Sequence, residues 1–267
     1  SPRWLILRGR ETNALQIMKR IFVSDIPAQN QLEETKQSLR GETKSKIGML
    51  WQPGIRKAVL IGVAIAMLGQ FMGVNAVLYY GPAIFESNGL SGGDSLFYQV
   101  MVGLANTLAT VIALFVIDRV GRKKLIYYGV SAMILFLVLT AIYFAKGDEW
   151  GLPDVLLLVF FMAYIFSTAI SISAVVFVFL SEMYPNKARG LAMSVAGFSL
   201  WIGTYLIGQL TPWLLENLTP SGTFVLFAVM CIPYMLIVWK LMPETAGKSL
   251  EEIEAFWKRN KKLEDRN

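Results

Sequence analysis

The chain contains no histidine and a single cysteine, Cys231, among its 267 residues. The absence of histidine excludes histidine-based acid–base catalysis, histidine-activated nucleophiles and the most common metal ligand. One cysteine excludes an internal disulfide and any multi-cysteine metal site. Cys231 lies within an apolar stretch, where we expect a small packing residue. We therefore expect neither a metal nor another cofactor.

Charged residues are also scarce, at 16% of the chain, against about 25% in an ordinary soluble domain. The net charge of +6 could indicate a nucleic-acid partner. However, no basic stripe is interleaved with exposed aromatic residues. The basic residues flank apolar stretches instead, where they would face anionic headgroups, so we expect membrane lipid as the partner and no nucleic acid.

Six long stretches carry no charge, and each has the length of about 20 residues or more that a helix needs to cross a bilayer. They are residues 58–85, 95–117, 125–145, 155–181, 190–215 and 217–239. Threading them through a membrane puts 24 of the 25 Lys and Arg on one side and only Lys146, with six acidic residues, on the other. By the positive-inside rule, we expect a multi-pass protein of the cell membrane with both ends of this chain in the cytoplasm.

The sequence thus divides into three segments: a cytoplasmic helical segment at 1–54, a six-helix transmembrane bundle at 55–242, and a cytoplasmic helix and tail at 243–267. In the first segment, residues 11–22 place Leu15, Met18, Ile21 and Phe22 on one helical face.

Pro27 breaks this pattern, and a second amphipathic helix is predicted over residues 28–40. Residues 249–262 predict a third, with capping-box spacing between Ser249 and Glu252. Because Ser1-Pro2 is suited to a helix cap, we expect the chain to be a fragment whose missing part lies upstream.

The first crossing contains two amides, Gln70 and Asn75, which are costly in hydrocarbon unless they find partners. They would lie about 140° apart around a regular helix. Gly73 between them could let the helix bend or unwind, as the discontinuous helices of transporters do, and bring both amides to one cavity. The residues alone leave two roles open: binding ligand hydroxyls or holding helices together.

Two turns on the basic side carry opposite charges at helix ends. Asp118 and Arg122 flank one turn, and Glu182 and Arg189 flank the other. Each pair could form ionic contacts that break and re-form as parts of the protein move. The alternatives are that the turns are basic for topological reasons and that Arg189 only anchors a helix in the membrane.

Four motifs occur together in a fixed order. They are S-P-R-W-L at 1–5, D-R-x-G-R-K at 118–123, S-E-x-Y-P-x-x-x-R-G at 181–190 and P-E-T-x-G-K-S-L-E-E at 243–252. With these motifs in register with six crossings, the chain resembles the carboxy-terminal half of a sugar porter of the major facilitator superfamily. The similarity is strongest to bacterial xylose and hexose proton symporters.

The resemblance implies an all-α fold: six transmembrane helices in two inverted three-helix repeats, with cytoplasmic amphipathic helices. It also implies secondary transport of a pentose or hexose by alternating access. The partners would be the sugar, a proton as coupling ion, and the amino-terminal half of the same transporter.

The resemblance also implies two sets of functional residues. Those that would bind or enclose the sugar are Gln70, Asn75, Tyr79, Asn106, Phe177 and Trp201. Those of the cytoplasmic charge network that latches the two halves would be Asp118, Arg122, Glu182 and Arg189. From the residue alone, Trp201 could equally be a packing residue.

The chain departs from the family pattern at three site positions. Gly69 replaces the first of two glutamines, Phe177 replaces an indole in a region that also lacks the family's Gly-Pro, and Leu200 replaces a glutamine. We expect a site that is less polar or of different specificity, and a stiffer fourth helix.

Several other functions remain as alternatives. They are a facilitative uniporter, a polyol or cyclitol transporter, a transporter-like sugar sensor and a polytopic membrane enzyme. The short tail argues against a sensor, and the lack of catalytic groups at a membrane edge argues against an enzyme. Because no Asp or Glu lies in the interior of a crossing, this chain would not carry the coupling proton.

Overall fold

A computed structural model describes residues 2–21, 25–40, 47–52, 55–185 and 188–242. The predicted carboxy-terminal helix and tail lie outside the described residues. Eleven α-helices, a 3₁₀ turn and a π-helical segment form the described part. They are α1 (Pro2–Leu7), α2 (Glu11–Ile21), α3 (Asp25–Arg40), the 3₁₀ turn (Ile47–Trp51), α4 (Ile55–Phe71), α5 (Val74–Ser87), α6 (Gly92–Val120), α7 (Arg122–Trp150), α8 (Asp154–Thr168), the π segment (Ala169–Ser173), α9 (Ala174–Met183), α10 (Arg189–Asn217) and α11 (Thr219–Leu241).

The chain divides into two compact units, Ser1–Met49 and Leu50–Asn267. The first unit packs α1, α2 and α3 around a small core. That core consists of Ala14, Met18, Ala28 and Leu32, with Leu5, Ile6 and Leu15 against it. It agrees with the predicted face at Leu15 and Met18.

Two details of the first unit differ from the prediction. Ile21 is 66% exposed, because the buried face of α2 runs through Ala14 and Met18 instead. Pro27 lies inside α3, since a proline in the first turn of a helix removes no intrahelical hydrogen bond.

Lys36 joins α3 to α2 by donating to Glu11 at 2.9 Å. This bond, together with one to Glu33, raises the pKa of Lys36.

The second unit contains the membrane spans. Within the described residues, six helical spans are long and apolar enough to cross a bilayer. They run over Ile55–Ser87, Gly92–Ile117, Arg122–Trp150, Asp154–Met183, Arg189–Asn217 and Thr219–Leu241. The predicted all-α, six-crossing fold is confirmed, and the chain is a multi-pass membrane protein.

The packing of the six crossings repeats after three helices. The first crossing (α4) packs on the fifth (α10), and the fourth (α8 and the π segment) packs on the second (α6). The third and sixth crossings, α7 and α11, pack on each other. The first helix of each three-helix repeat therefore lies against the second helix of the other repeat, the arrangement expected of inverted repeats.

Small residues allow the close approach of the second crossing to its neighbours. Ala105, Ala109 and Ala113 repeat every four residues on α6 and are all buried. Because lipid tails are as apolar as the helix surface, helices in a membrane associate through such close-packed small-residue stripes. The larger side chains Leu104, Leu108 and Phe115 on other faces of α6 are at least half exposed.

Candidate functional site

The first crossing is interrupted halfway along its length. α4 ends at Phe71 and α5 begins at Val74, with Gly73 between them at a φ of +91°. A residue with a Cβ would be strained at this φ, and its Cβ would also collide with the ring of Phe227. The Tyr164 hydroxyl donates to the Met72 carbonyl oxygen at 2.8 Å, so a backbone group near the interruption keeps a partner.

The interruption brings the two predicted amides into contact. Asn75 donates through Nδ2 to Gln70 Oε1 at 2.8 Å. The Thr204 hydroxyl of α10 lies 3.1 Å from the same Gln70 oxygen and 3.1 Å from its own helix's Leu200 carbonyl oxygen. We call Gln70, Asn75 and Thr204 the amide cluster.

The hydrogen bonds of the amide cluster fix which groups are left for a ligand. Gln70 Oε1 accepts from Asn75, and the single Thr204 hydroxyl proton is shared between this oxygen and the Leu200 carbonyl oxygen. Within the described residues, the Gln70 NH₂ group and Asn75 Oδ1 have no partner. The cluster therefore offers both donors and an acceptor, the combination that binds a hydroxyl group.

The three predicted aromatic site residues are about half exposed or more. Tyr79 is 56%, Phe177 49% and Trp201 66% exposed, on α5, α9 and α10 respectively. The remaining predicted amide, Asn106, is partly buried on α6. Among the described residues, no hydrogen bond or ring contact joins these four side chains to the amide cluster.

Two of the positions that depart from the family pattern lie in packed surroundings. Leu200 is only 9% exposed. A Cβ added to Gly69 would lie 3.7 Å from both Ile172 and the ring of Tyr234. Tyr234 is fully buried, and its hydroxyl has no partner among the described residues.

The fourth crossing is also irregular, although it lacks glycine and proline in the segment concerned. Ala169–Ser173 form the π-helical segment, directly before the stretch that carries Phe177. Ser171 in this segment packs against Gly129 of α7 and donates to the Ser167 carbonyl oxygen. The fourth crossing is therefore not a uniform α-helix, and its greater stiffness stays a prediction.

The predicted charge network contains an ion pair that joins its two turns. Arg122 donates through Nη2 to Glu182 Oε1 at 3.1 Å, with side chains only 12% and 22% exposed. Arg189 instead donates to the Tyr184 carbonyl oxygen from both Nε and Nη2, at 3.3 Å. Arg189 thus bonds to the backbone just before α10, and the residue that pairs with Glu182 is Arg122 of α7. The side chain of Asp118 lies outside the described residues.

One basic residue that the sequence analysis did not single out also connects helix ends. Lys123 donates to the carbonyl oxygens of Trp239 and Met242, at 2.9 and 3.0 Å. A cation at the carboxyl end of a helix is stabilised by the helix dipole. The signal in the sequence was only that Lys123 belongs to a basic turn.

A polar network at the opposite end was likewise missed. Asn88, after α5, donates to Asp154 Oδ1 at 3.0 Å, and the Tyr143 hydroxyl of α7 lies 3.2 Å from the same oxygen. Asn88 also contacts the Tyr143 hydroxyl at 3.1 Å. These bonds join the first, third and fourth crossings, and no residue spacing indicated them.

Six apolar crossings in two repeats, with an amide cluster at a helix break near mid-membrane, define a membrane transporter fold. Comparison with known families is more specific. The family described as "Sugar (and other) transporter" matches residues 1–257. The chain belongs to this sugar transporter family, which confirms the predicted family and sets aside the membrane-enzyme alternative.

Individual relatives support the same family assignment. The chain is 35% identical over 259 residues to the arabinose-proton symporter of Bacillus subtilis, covering 96% of this chain and 54% of the relative. It is 33% identical over 265 residues to the D-xylose-proton symporter of Escherichia coli K12, covering 96% and 52%. The inward-open structure of the xylose transporter XylE from E. coli matches with a TM-score of 0.76 and 30% identity, over 96% of this chain and 51% of that one. The chain thus spans about half the length of these relatives.

Proposed function

We propose that the protein to which this chain belongs transports a monosaccharide across the cell membrane by alternating access, coupled to protons. The observation that carries this proposal is the amide cluster at the helix break. Its free NH₂ group and carbonyl oxygen match the donor and acceptor character of sugar hydroxyls. The similar arabinose- and xylose-proton symporters support a pentose or hexose as substrate.

The other predicted residues would complete the site. Tyr79, Phe177 and Trp201 are exposed aromatic side chains, and aromatic faces provide an apolar surface for a sugar ring. Asn106 would add an amide from the second crossing. The amino-terminal half that the relatives possess would cover these side chains and close the cavity.

We place the end with Arg122, Arg189 and Lys240 in the cytoplasm, on the basis of the positive-inside bias. In this orientation, the Arg122–Glu182 ion pair would lie at the cytoplasmic face. Its two side chains come from the third and fourth crossings, at the end where the charge network would latch the two halves of the transporter. The pair would therefore stabilise one of the two alternating states, as part of a network with Asp118 and Arg189.

A second candidate substrate class is favoured by Gly69, Phe177 and Leu200. Each of these residues lacks a polar group that the family pattern has, and each lost hydrogen bond costs about 0.5–1.5 kcal/mol. A polyol or cyclitol would present its hydroxyls in another arrangement and would not need the missing groups.

Uptake by proteoliposomes that contain the full-length protein tests both candidates. The labelled substrates are arabinose, xylose, glucose, galactose and myo-inositol, each with and without an inward proton gradient. Gradient-driven accumulation of a sugar supports the symporter, whereas accumulation of inositol alone supports the second candidate. Equilibration without accumulation would contradict proton coupling and indicate a uniporter. Failure of folded protein to take up any of the five would overturn the proposal.

A further inference from the structure

A cavity of about 500 Å³ lies between α5, α7, α10 and α11. It is at the end of the bundle opposite the Arg122–Glu182 pair, where α5 and α10 end and α11 begins. Its walls are largely apolar and include Ile84, Phe144, Leu215 and Pro220. The volume is within the range of sites that bind small organic molecules.

The polar groups of this cavity are all hydrogen-bond acceptors. The Tyr80 hydroxyl donates its proton to the Gly208 carbonyl oxygen at 2.7 Å, and the Ser87 hydroxyl donates to the Ile84 carbonyl oxygen at 2.8 Å. Both hydroxyls therefore have only lone pairs left for a ligand. The carboxylate of Glu216, an exposed residue, forms no ion pair within the described part of the chain.

We propose that this cavity is a binding site for an organic cation, namely a protonated amine that carries an apolar body. The ammonium group would donate to Glu216 and Ser87, and the apolar body would lie against Phe144 and Leu215. The ring of Phe144 would add a favourable interaction with the positive charge. A sugar fits poorly, since its hydroxyls need donors from the protein as well as acceptors.

A zwitterionic lipid headgroup fits less well than a simple amine. Its phosphate would need a cationic partner, and no lysine or arginine side chain lines the cavity.

The charges at this end of the bundle also favour cations. Its charged side chains in the described residues are those of Glu86, Asp94, Lys146, Asp148, Glu149, Asp154 and Glu216. Such an excess of negative charge raises the local concentration of cations.

The cavity is separate from the amide cluster. The hydrogen bond from Tyr80 to Gly208 links α5 to α10 between the two places. Tyr80 lies five residues beyond Asn75, and Gly208 lies four residues beyond Thr204, both toward the cavity. The cation site therefore does not depend on the nature of the transported substrate.

Binding of phenethylammonium to the full-length protein in phosphatidylcholine nanodiscs tests this inference, with neutral 2-phenylethanol as the matched probe. We expect the ammonium to bind and the alcohol to bind about two- to fivefold more weakly, since Glu216 is exposed and solvent screens its interaction with the ammonium. Glu216→Gln should weaken ammonium binding by about two- to fivefold for the same reason. Ala83→Phe, which fills the cavity, should abolish it.

Glu86→Gln is the control, because it removes the same charge from the last turn of α5 without touching the cavity wall. Equal effects of Glu86→Gln and Glu216→Gln would overturn the proposal in favour of a diffuse negative potential. Equal binding of the alcohol would overturn the role of the charge. Displacement by phosphatidylethanolamine in the nanodisc would show a lipid site, and displacement by a transported sugar would show that the cavity belongs to the sugar site.

Discussion

The first and fourth crossings are equivalent helices of the two repeats, and both are irregular near the middle, by different means. The first is cut by one residue, Gly73, in a left-handed conformation that leaves polar side chains facing each other. The fourth keeps its helical course through a π segment, Ala169–Ser173, packed against α7. The two irregularities are neighbours, since a Cβ on Gly69 would lie 3.7 Å from Ile172.

The difference shows two ways to make a membrane helix irregular without exposing its backbone to lipid. A left-handed break depends on one residue type and on side chains such as Tyr164 that take up backbone groups. A π segment retains internal hydrogen bonds and tolerates ordinary residues such as alanine, isoleucine and serine. We infer that the first crossing provides the polar binding groups, whereas the fourth supports it through packing.

The largest effect is expected from Gly73→Ala, which replaces the glycine that forms the break between α4 and α5. A non-glycine residue in this conformation costs about 1–3 kcal/mol, and its Cβ also displaces the Phe227 ring. We expect a marked fall in the melting temperature in detergent and loss of substrate binding. Gly197→Ala, at a helical glycine with nothing within 4 Å, is the control and should leave both unchanged or slightly improved. An unchanged melting temperature for Gly73→Ala would disprove the structural need for glycine.

Asn75→Ala should act on binding rather than on folding. It removes a bond to the ligand and the bond that orients Gln70, each worth about 0.5–1.5 kcal/mol. We expect substrate to give no measurable protection against thermal unfolding, while the melting temperature without substrate stays near that of the parent. If instead the substrate-free protein loses stability, the two amides serve mainly to hold helices together.

The break and the amide pair could be anticipated from the sequence because each rests on particular residue types. Two amides in an apolar stretch need partners, and a glycine between them permits the bend. The six crossings were equally accessible, since length and absence of charge define them. In contrast, Ala169–Ser173 contain no residue type that distinguishes a π segment from an α-helix.

Contacts between distant crossings were the least predictable part. Thr204 looks like any other threonine of an apolar helix, and only the packing of α10 on α4 brings it to Gln70. The same is true of the contact between Arg122 and Glu182, which is set by the approach of α7 to α9. Both contacts depend on the tertiary fold, which the spacing of residues along the chain does not predict.

Arg122→Ala tests the Arg122–Glu182 ion pair at the basic end of the fourth crossing. It removes the hydrogen bond from Arg122 to the Glu182 carboxylate, and a hydrogen bond to a charged group is worth about 1.5–3 kcal/mol. Because we place the pair in only one of the alternating states, we expect exchange across the membrane to slow more than substrate affinity falls. Counterflow rates and equilibrium binding of labelled substrate measure the two quantities. Parallel losses in both would argue against a latch.

Thr204→Val should have a smaller effect, limited to the orientation of Gln70. The substitution keeps the shape and removes one donor near Gln70 Oε1, so substrate affinity should fall by about three- to tenfold, as for one hydrogen bond. Thr211→Val is the matched control, because Thr211 lies on the same helix and, among the described residues, its hydroxyl bonds only to the Ile207 carbonyl oxygen. Similar losses of affinity in both variants would mean that Thr204 acts through its helix and not through Gln70.

The smallest effect is expected from Ser171→Ala in the π segment. The variant loses a bond to the Ser167 carbonyl oxygen but keeps the Cβ that packs on Gly129, so the loss of stability should not exceed about 1 kcal/mol. Substrate affinity should not change, because Ser171 is buried and makes no bond to the amide cluster. Melting temperature and equilibrium binding give the two values. If Ser171→Ala lowers affinity as much as Thr204→Val does, the π segment and the break respond as one unit, and the division between a binding helix and a supporting helix is wrong.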